Sequence, residues 1–143
     1  MSGSIDDILE NFSYLDDWDD RYRYLIELGR SLEPLPDAAH NEQNRVRGCA
    51  SQVWIESRVE ERDGRRVLAF RGDSDAHIVK GLVALTLALF SGRDPQSILE
   101  TDAAKVYADL GLSEHLTPQR SNGVRSMVER IKADARSALA AGG

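Results

Sequence analysis

Cysteine is almost absent from this chain, because Cys49 is the only one among 143 residues. A single thiol excludes an internal disulfide and any zinc or iron–sulfur site built from several cysteines. The N-terminus also lacks the basic patch and apolar run that are typical of a secretion signal. We therefore expect a protein that works in the reducing environment of the cytoplasm.

Long apolar runs and an excess of positive charge are missing as well. The longest apolar run, residues 81–90, is too short to span a membrane and predicts a buried helix. The net charge of −6 disfavours binding to nucleic acid or to anionic lipid. A chain of this length can bury a core without disulfides or a metal. We expect one domain over residues 1–143, with neither nucleic acid nor membrane as a partner.

No metal-binding spacing is found either. The three histidines are isolated in the sequence: His40, His77 and His115. None of them takes part in an H-x-x-x-H or H-x-H pattern, which metal sites often use. The acidic residues between positions 16 and 20 fit the first turn of a helix, where Asp17 and Asp19 would pair with Arg21 and Arg23. The sequence therefore predicts no metal site.

Among the features that are present, the first is a strong β-hairpin signal after Gln52. Hydrophobic residues alternate with polar ones from Gln52 onward, and Asp63–Gly64 forms a typical two-residue turn. Pairing outward from this turn sets three pairs opposite each other: Val59 and Leu68, Ser57 and Phe70, Glu56 and Arg71. Trp54 then falls on the face away from the core. Either a packed helix covers this ring, or it is an exposed anchor for a partner.

Apolar residues at helical spacing cover most of the remaining chain. They predict helices at 4–14, from Trp18 onward, at about 76–91 with Ser74 or Asp75 as the cap, near Asp94 and Thr101, and after Thr117–Pro118. This order predicts an α+β fold in which helices pack mainly on one side of a small antiparallel sheet. Residues 44–48 are a candidate third strand.

The most informative stretch surrounds Cys49. Gly48 permits a turn with positive φ, and a strand follows, so the cysteine lies on a loop. Arg45 and Arg47 lie just upstream, and nearby guanidinium charge together with an accessible loop favours a reactive thiolate. Two alternatives stay open: a cysteine that only packs within an interaction module, or the nucleophile of a hydrolase, which would need a histidine base within reach.

Three segments together carry a family resemblance. They span residues 46–54, 72–82 and 115–123, and they read V-x-G-C-x-S-Q-V-W, G-D-S-D-A-x-I-V-K-G-L and H-L-T-P-x-R-S-x-G. In this order and spacing they resemble the signature segments of the SufE family, whose members accept sulfur from cysteine desulfurases. The resemblance runs from the helix that contains Trp18 nearly to the C-terminus. It implies a SufE/IscU-like fold, although a chain with one cysteine cannot assemble a cluster as IscU does.

The resemblance also implies roles for single residues. Cys49 matches the cysteine that carries the persulfide. Asp75 and Arg120 match polar residues near the cysteine loop, where Arg120 would stabilise a thiolate or persulfide through a charge-assisted hydrogen bond. Contacts with the partner are expected from three further residues: Ser51, Gln52 and Trp54.

By the same resemblance, the partner is a cysteine desulfurase of the SufS type. Pyridoxal phosphate belongs to that enzyme, so this chain needs no cofactor and is not itself a desulfurase. The sulfur would pass on to an iron–sulfur scaffold complex of the SufBCD type. Ala50 departs from many relatives, which have glutamine there. The choice between a SufS-type and a CsdA-type partner therefore stays open, although Ser51 and Gln52 favour the SufE side.

Overall fold

The computed structural model describes residues 4–142. Its elements are α1 Ile5–Ser13, α2 Trp18–Arg30, a 3₁₀ turn Asp37–Ala39, β1 Val53–Arg62, β2 Arg65–Ser74, α3 His77–Phe90, α4 Pro95–Glu100, α5 Ala103–Asp109, α6 Leu112–His115 and α7 Pro118–Gly142. The two strands form an antiparallel sheet, and α3 and α7 both contact it. The predicted α+β class is confirmed.

The hairpin follows the predicted register. Glu56 lies opposite Arg71, and the other two predicted pairs also match. Asp63 and Gly64 have φ values of 53° and 76°, the left-handed conformations that a tight type I′ turn requires. The predicted third strand at 44–48 is reduced to one bridge between Arg45 and Trp54. The backbone turns away after this bridge, so no further ladder forms.

Helix α3 is the centre of the core. Eleven of its residues are buried, and it contacts α2, β2 and α7. Its bounds agree with the predicted 76–91 to within one residue, but the predicted cap is wrong. Ala76 occupies the N-cap position without a side-chain hydrogen bond of its own. The carboxylate of Asp75 accepts from the amide of Gln52, and the hydroxyl of Ser74 accepts only from the amide of Ala76, at 3.3 Å.

Helices α2 and α3 cross with their backbones in contact. Gly29 and Gly81 face each other, and a Cβ atom at Gly29 would lie 2.7 Å from the backbone nitrogen of Gly81. A Cβ atom at Gly81 would overlap the carbonyl oxygen of Leu25. The close approach therefore depends on the absence of side chains at both positions.

The acidic start of α2 behaves only partly as predicted. Asp17 caps the helix by accepting from the amide of Asp19 at 3.0 Å. Arg21 does not pair with Asp17 but donates to three backbone carbonyls, those of Phe12, Leu15 and Leu110. Arg23 lies 3.8 Å from Asp20 rather than pairing with Asp19. Within residues 4–142, no group of three or more acidic, histidine or cysteine side chains is placed to hold a metal.

The later helices begin where the sequence predicts. Asp94 caps α4 by accepting from the amide of Ser97 at 3.1 Å, and Asp102 caps α5. Helix α6 was not predicted, since a single turn after Gly111 is too short to show a period. In the described part of the chain, no helix has both the length and the apolar character that crossing a bilayer demands.

Candidate functional site

Cys49 lies on a short loop whose two ends are tied down. At the first end, the amide of Val46 donates to the carbonyl of Val53 at 2.8 Å. At the second end, the amide of Gln52 donates to the Asp75 carboxylate at 3.1 Å, and the amide of Asp75 donates back to the carbonyl of Gln52 at 3.3 Å. Asp75 thus lies at the cysteine loop, as the resemblance implied, and holds its C-terminal end.

Gly48 determines the path of the chain into the cysteine. Its φ of 92° lies in the left-handed region that side-chain-bearing residues rarely adopt. A Cβ atom there would also lie 2.5 Å from the hydroxyl oxygen of Ser126 on α7. Glycine is therefore required both for the backbone conformation and for the contact with the helix.

The thiol is half-buried above a small cavity. Its S–H donates to the carbonyl of Gly123 on α7, with 3.5 Å between sulfur and oxygen. The cavity has a volume of about 70 Å³ and is lined by Cys49, Ala50, Ser51, Val79, Leu82, Gln119, Arg120, Gly123 and Met127. Since one water-sized atom needs about 10–15 Å³ of such space, there is room beside the sulfur for at least one more atom of that size.

Burial dominates the electrostatics of the thiol. It raises the pKa of Cys49 above the ordinary value of a free thiol, and Arg45 lowers that pKa by a smaller amount. Arg45 acts in the predicted direction. With Cys49 packed over the cavity, however, the loop does not favour a thiolate, because burial removes hydration from the charged form. We call this arrangement the seated loop. Arg47 is directed elsewhere: it pairs with Glu42 at 2.6 Å on the surface.

Arg120 takes the place that the resemblance implied. It lines the cavity together with Cys49, and its guanidinium lies 5.9 Å from the centre of the Tyr22 ring. This distance is within the range of a cation–π contact, which holds the side chain beside the loop. The site thus brings Arg45, Arg120 and Asp75 close to the loop of Cys49, while Arg47 points away.

The expected partner contacts are differently exposed. Ser51 lines the cavity, and Gln52 is exposed. Trp54 is half-buried, and its ring meets that of His40 edge to face with 4.7 Å between centroids. The ring contact with His40 comes from the connector before β1 and leaves Trp54 partly exposed, so its role as a partner contact stays a prediction.

The histidines are engaged away from the thiol. His40 contacts the Pro36 carbonyl at 3.0 Å and the Asp73 carboxylate at 2.7 Å. His115 stacks on Trp18, and His77 is exposed in the first turn of α3. Within residues 4–142, no histidine forms a hydrogen bond with Cys49, so the geometry gives no support to a hydrolase.

Sequence reasoning placed Arg120 of α7 at this site but missed the other residues that α7 contributes. Gly123 and Met127 line the cavity, and Ser126 packs against Gly48. Gly123 belongs to the third resemblance segment, which was the only available signal. Nothing local in the sequence indicates that this helix faces a loop more than 70 residues earlier in the chain.

The fold and the site together define the class of protein: a small α+β domain whose candidate site is built around one half-buried cysteine. Comparison with known families then identifies the family. The SufE model, described as an Fe-S metabolism associated domain, matches residues 6–135. The chain therefore belongs to the SufE family, which is associated with iron–sulfur metabolism.

Relatives agree with this assignment over nearly the whole chain. SufE-like proteins of Rhizobium meliloti (strain 1021) and Rhizobium etli are each 48% identical over 138 residues, which is 96% of this chain and 99% and 93% of theirs. The fold also resembles the solution structure of a hypothetical protein from Thermus thermophilus. That likeness has a TM-score of 0.74 at 25% identity and covers 95% of this chain and 96% of the other.

Proposed function

We propose that this protein accepts sulfur from a cysteine desulfurase onto Cys49 and carries it as a persulfide to an iron–sulfur scaffold. The observation that carries the proposal is a lone thiol over a cavity with spare volume, in a chain of the SufE family. The desulfurase is of the SufS type and holds the pyridoxal phosphate. The recipient is a scaffold complex of the SufBCD type.

The transfer is a thiol exchange that needs no oxidant. The Cys49 thiolate attacks the outer sulfur of the persulfide on the enzyme, so that a new S–S bond forms while the enzyme's own S–S bond breaks. The enzyme's cysteine leaves as a thiolate and takes up the proton that Cys49 has lost. Cys49 then carries the sulfane sulfur, and the enzyme is free for its next turnover.

The seated loop fits a resting state rather than the attacking state. Burial raises the pKa of Cys49, so the seated thiol is a poor nucleophile. An outward movement of the loop restores water to the sulfur, and a partner surface that binds the open form shifts the population toward it. After the transfer, a return to the cavity shelters the persulfide from small thiols and oxidants.

The exposed side chains around the loop are the partner contacts in this proposal. Gln52 is exposed, Trp54 is partly exposed, and Ser51 lines the cavity together with Cys49. A partly exposed tryptophan is a typical interface anchor. A thiol that must stay reduced between cycles also fits a reducing cytoplasm.

Mass spectrometry provides the direct test. After incubation with a desulfurase and free cysteine, the protein should gain about 32 Da on Cys49, the mass of one sulfur atom. The Cys49→Ser variant should keep the fold, gain no mass and no longer stimulate the enzyme, since a hydroxyl cannot carry sulfane sulfur. Stimulation retained by the serine variant would rule out the carrier function.

A further inference from the structure

The backbone conformation at position 123 does not require a glycine. Gly123 lies inside α7, is buried, and is not among the described glycines with positive φ, which are Gly48, Gly64, Gly92 and Gly111. In a helix interior, glycine is less favourable than alanine because it loses more conformational entropy on folding. The reason for its presence must therefore lie in what surrounds it.

The resting thiol does not require glycine there either. A Cβ atom at this position would lie 3.6 Å from the sulfur of Cys49 and 3.9 Å from its Cβ, which are ordinary van der Waals separations. Gly48 differs, because its Cβ atom would lie 2.5 Å from the Ser126 hydroxyl. An alanine at position 123 therefore fits the reduced protein, and on helix propensity alone it would be preferred.

A loaded cysteine changes this comparison. The outer sulfur of a persulfide lies about 2.05 Å from the inner one, and it must point into some free space. The cavity that Gly123 shares with Val79 and Met127 is the free space beside the thiol. A methyl group 3.6 Å from the inner sulfur would exclude directions toward α7 and turn the outer sulfur toward solvent.

We propose that Gly123 is a positioning residue that keeps space free for the outer sulfur of the Cys49 persulfide. This inference rests on the proposed carrier function. It predicts that helix stability and persulfide lifetime change in opposite directions. Replacing Gly123 by alanine should stabilise the helix and shorten the lifetime of the persulfide.

The test compares Gly123→Ala with Asn122→Ala, a matched control at the neighbouring, exposed position of the same helix. Both variants should unfold at the same temperature as the natural protein or a few degrees higher. With a desulfurase and cysteine, both should gain one sulfur. After removal of the enzyme, glutathione should strip the persulfide of Gly123→Ala about tenfold faster, as expected when one methyl group overpacks a filled site. Asn122→Ala should match the natural protein.

A compensating change on the opposite wall sharpens the test. Val79→Ala removes two methyl groups from the same cavity. Combined with Gly123→Ala, it should return the lifetime of the persulfide to within about twofold of the natural value, because the lost volume is restored. A general weakening of α7 would not be repaired by a change on α3.

Each outcome decides something. A persulfide on Gly123→Ala that lasts as long as the natural one overturns the inference while leaving the carrier function in place. A Gly123→Ala protein that is less stable than the natural one, or fails to fold, overturns it too, because the resting structure would then require the glycine. If the natural protein gains no sulfur at all, the proposed function fails first and this inference falls with it.

Discussion

The two sides of helix α3 are built in opposite ways. Toward α2, Gly81 lets two backbones touch, and no space remains for even one methyl group. Toward the cysteine loop, Val79 and Leu82 of the same helix border a cavity of about 70 Å³. The filled side fixes the position of α3, so the open side can keep empty space without loosening the helix. Close packing and free space thus lie on different faces of one element.

The largest effect is expected on the filled side. Gly81→Ala should destabilise the protein by about 3 kcal/mol or more, because the new Cβ atom overlaps the Leu25 carbonyl and the helices must separate. Thermal or urea unfolding measures the change. Gly64→Ala is the control: its Cβ atom meets nothing within 4 Å, so it should lose only about 1–2 kcal/mol from its left-handed backbone. Equal losses in both variants would show that the helix crossing is not close-packed.

Gly48→Ala should have the next largest effect, on the open side. The strained φ and the contact with Ser126 together should displace the loop, with a loss of about 2 kcal/mol and faster alkylation of Cys49 by iodoacetamide. Adding Ser126→Ala removes the overlapping hydroxyl but not the strained φ. The double variant should therefore recover part of the stability. No recovery at all would mean that α7 does not support the loop at this point.

A smaller, pH-dependent effect is expected in the connector that leads to the cysteine loop. Hydrogen bonding to Asp73 raises the pKa of His40 above 6.5, although burial opposes the shift, and Lys80 and Asp37 are the other charges nearby. A raised pKa stabilises the fold fully below about pH 6.5, and this stability is lost as the pH rises through the higher folded value. The change should be less than about 1 kcal/mol, because the pair is partly solvated.

Urea unfolding at about pH 5.5 and about pH 8.5 checks this sign. The natural protein should lose stability between these values relative to His40→Gln, in which the neutral amide does not titrate. If His40→Gln shows the same dependence as the natural protein, then the contact with Asp73 does not contribute to it.

The smallest effect concerns the arginines beside the loop. Arg45→Ala should raise the pKa of the Cys49 thiol further, because it removes the charge that opposes the effect of burial. Alkylation rates measured across a pH series report that pKa. Arg47→Ala should leave the profile unchanged, since its guanidinium pairs with Glu42 on the surface. If the two variants give the same profile, the assignment of the charge to Arg45 is wrong.

The parts of the fold that depend on local signals were predictable. The register of the hairpin follows from the Asp63–Gly64 turn and the alternation of apolar residues, and each fixes the other. Arg21 shows the limit of such reasoning. Its spacing from Asp17 indicated an ion pair, but the fold brings three backbone carbonyls within its reach, and these take its hydrogen bonds. Free carbonyl groups near the ends of other helices compete for the donors of Arg21, and residue spacing along one helix cannot show this competition.

The same limit applies to the site. The loop position of Cys49 follows from Gly48 and the strand behind it, but the burial of the thiol does not. Its cavity is closed by Val79 and Met127, which belong to α3 and α7 and are distant in sequence. Only the packing of these helices determines whether burial or Arg45 dominates the pKa of Cys49, so the local sequence predicted the loop position of the thiol but not which influence prevails.

The tied ends of the cysteine loop also set how far the sulfur can travel. Val46 and Val53 are joined by a hydrogen bond, and Cys49 is three residues from the first of them. Three fully extended residues span at most about 10 Å, so the loop is a short tether and not a swinging arm. A sulfur atom on this tether cannot pass between two distant active sites while the protein stays bound to the first. Under the proposed carrier function, each atom delivered requires the whole molecule to dissociate and diffuse, and the supply of sulfur depends on how often this protein meets each of the two proposed partners.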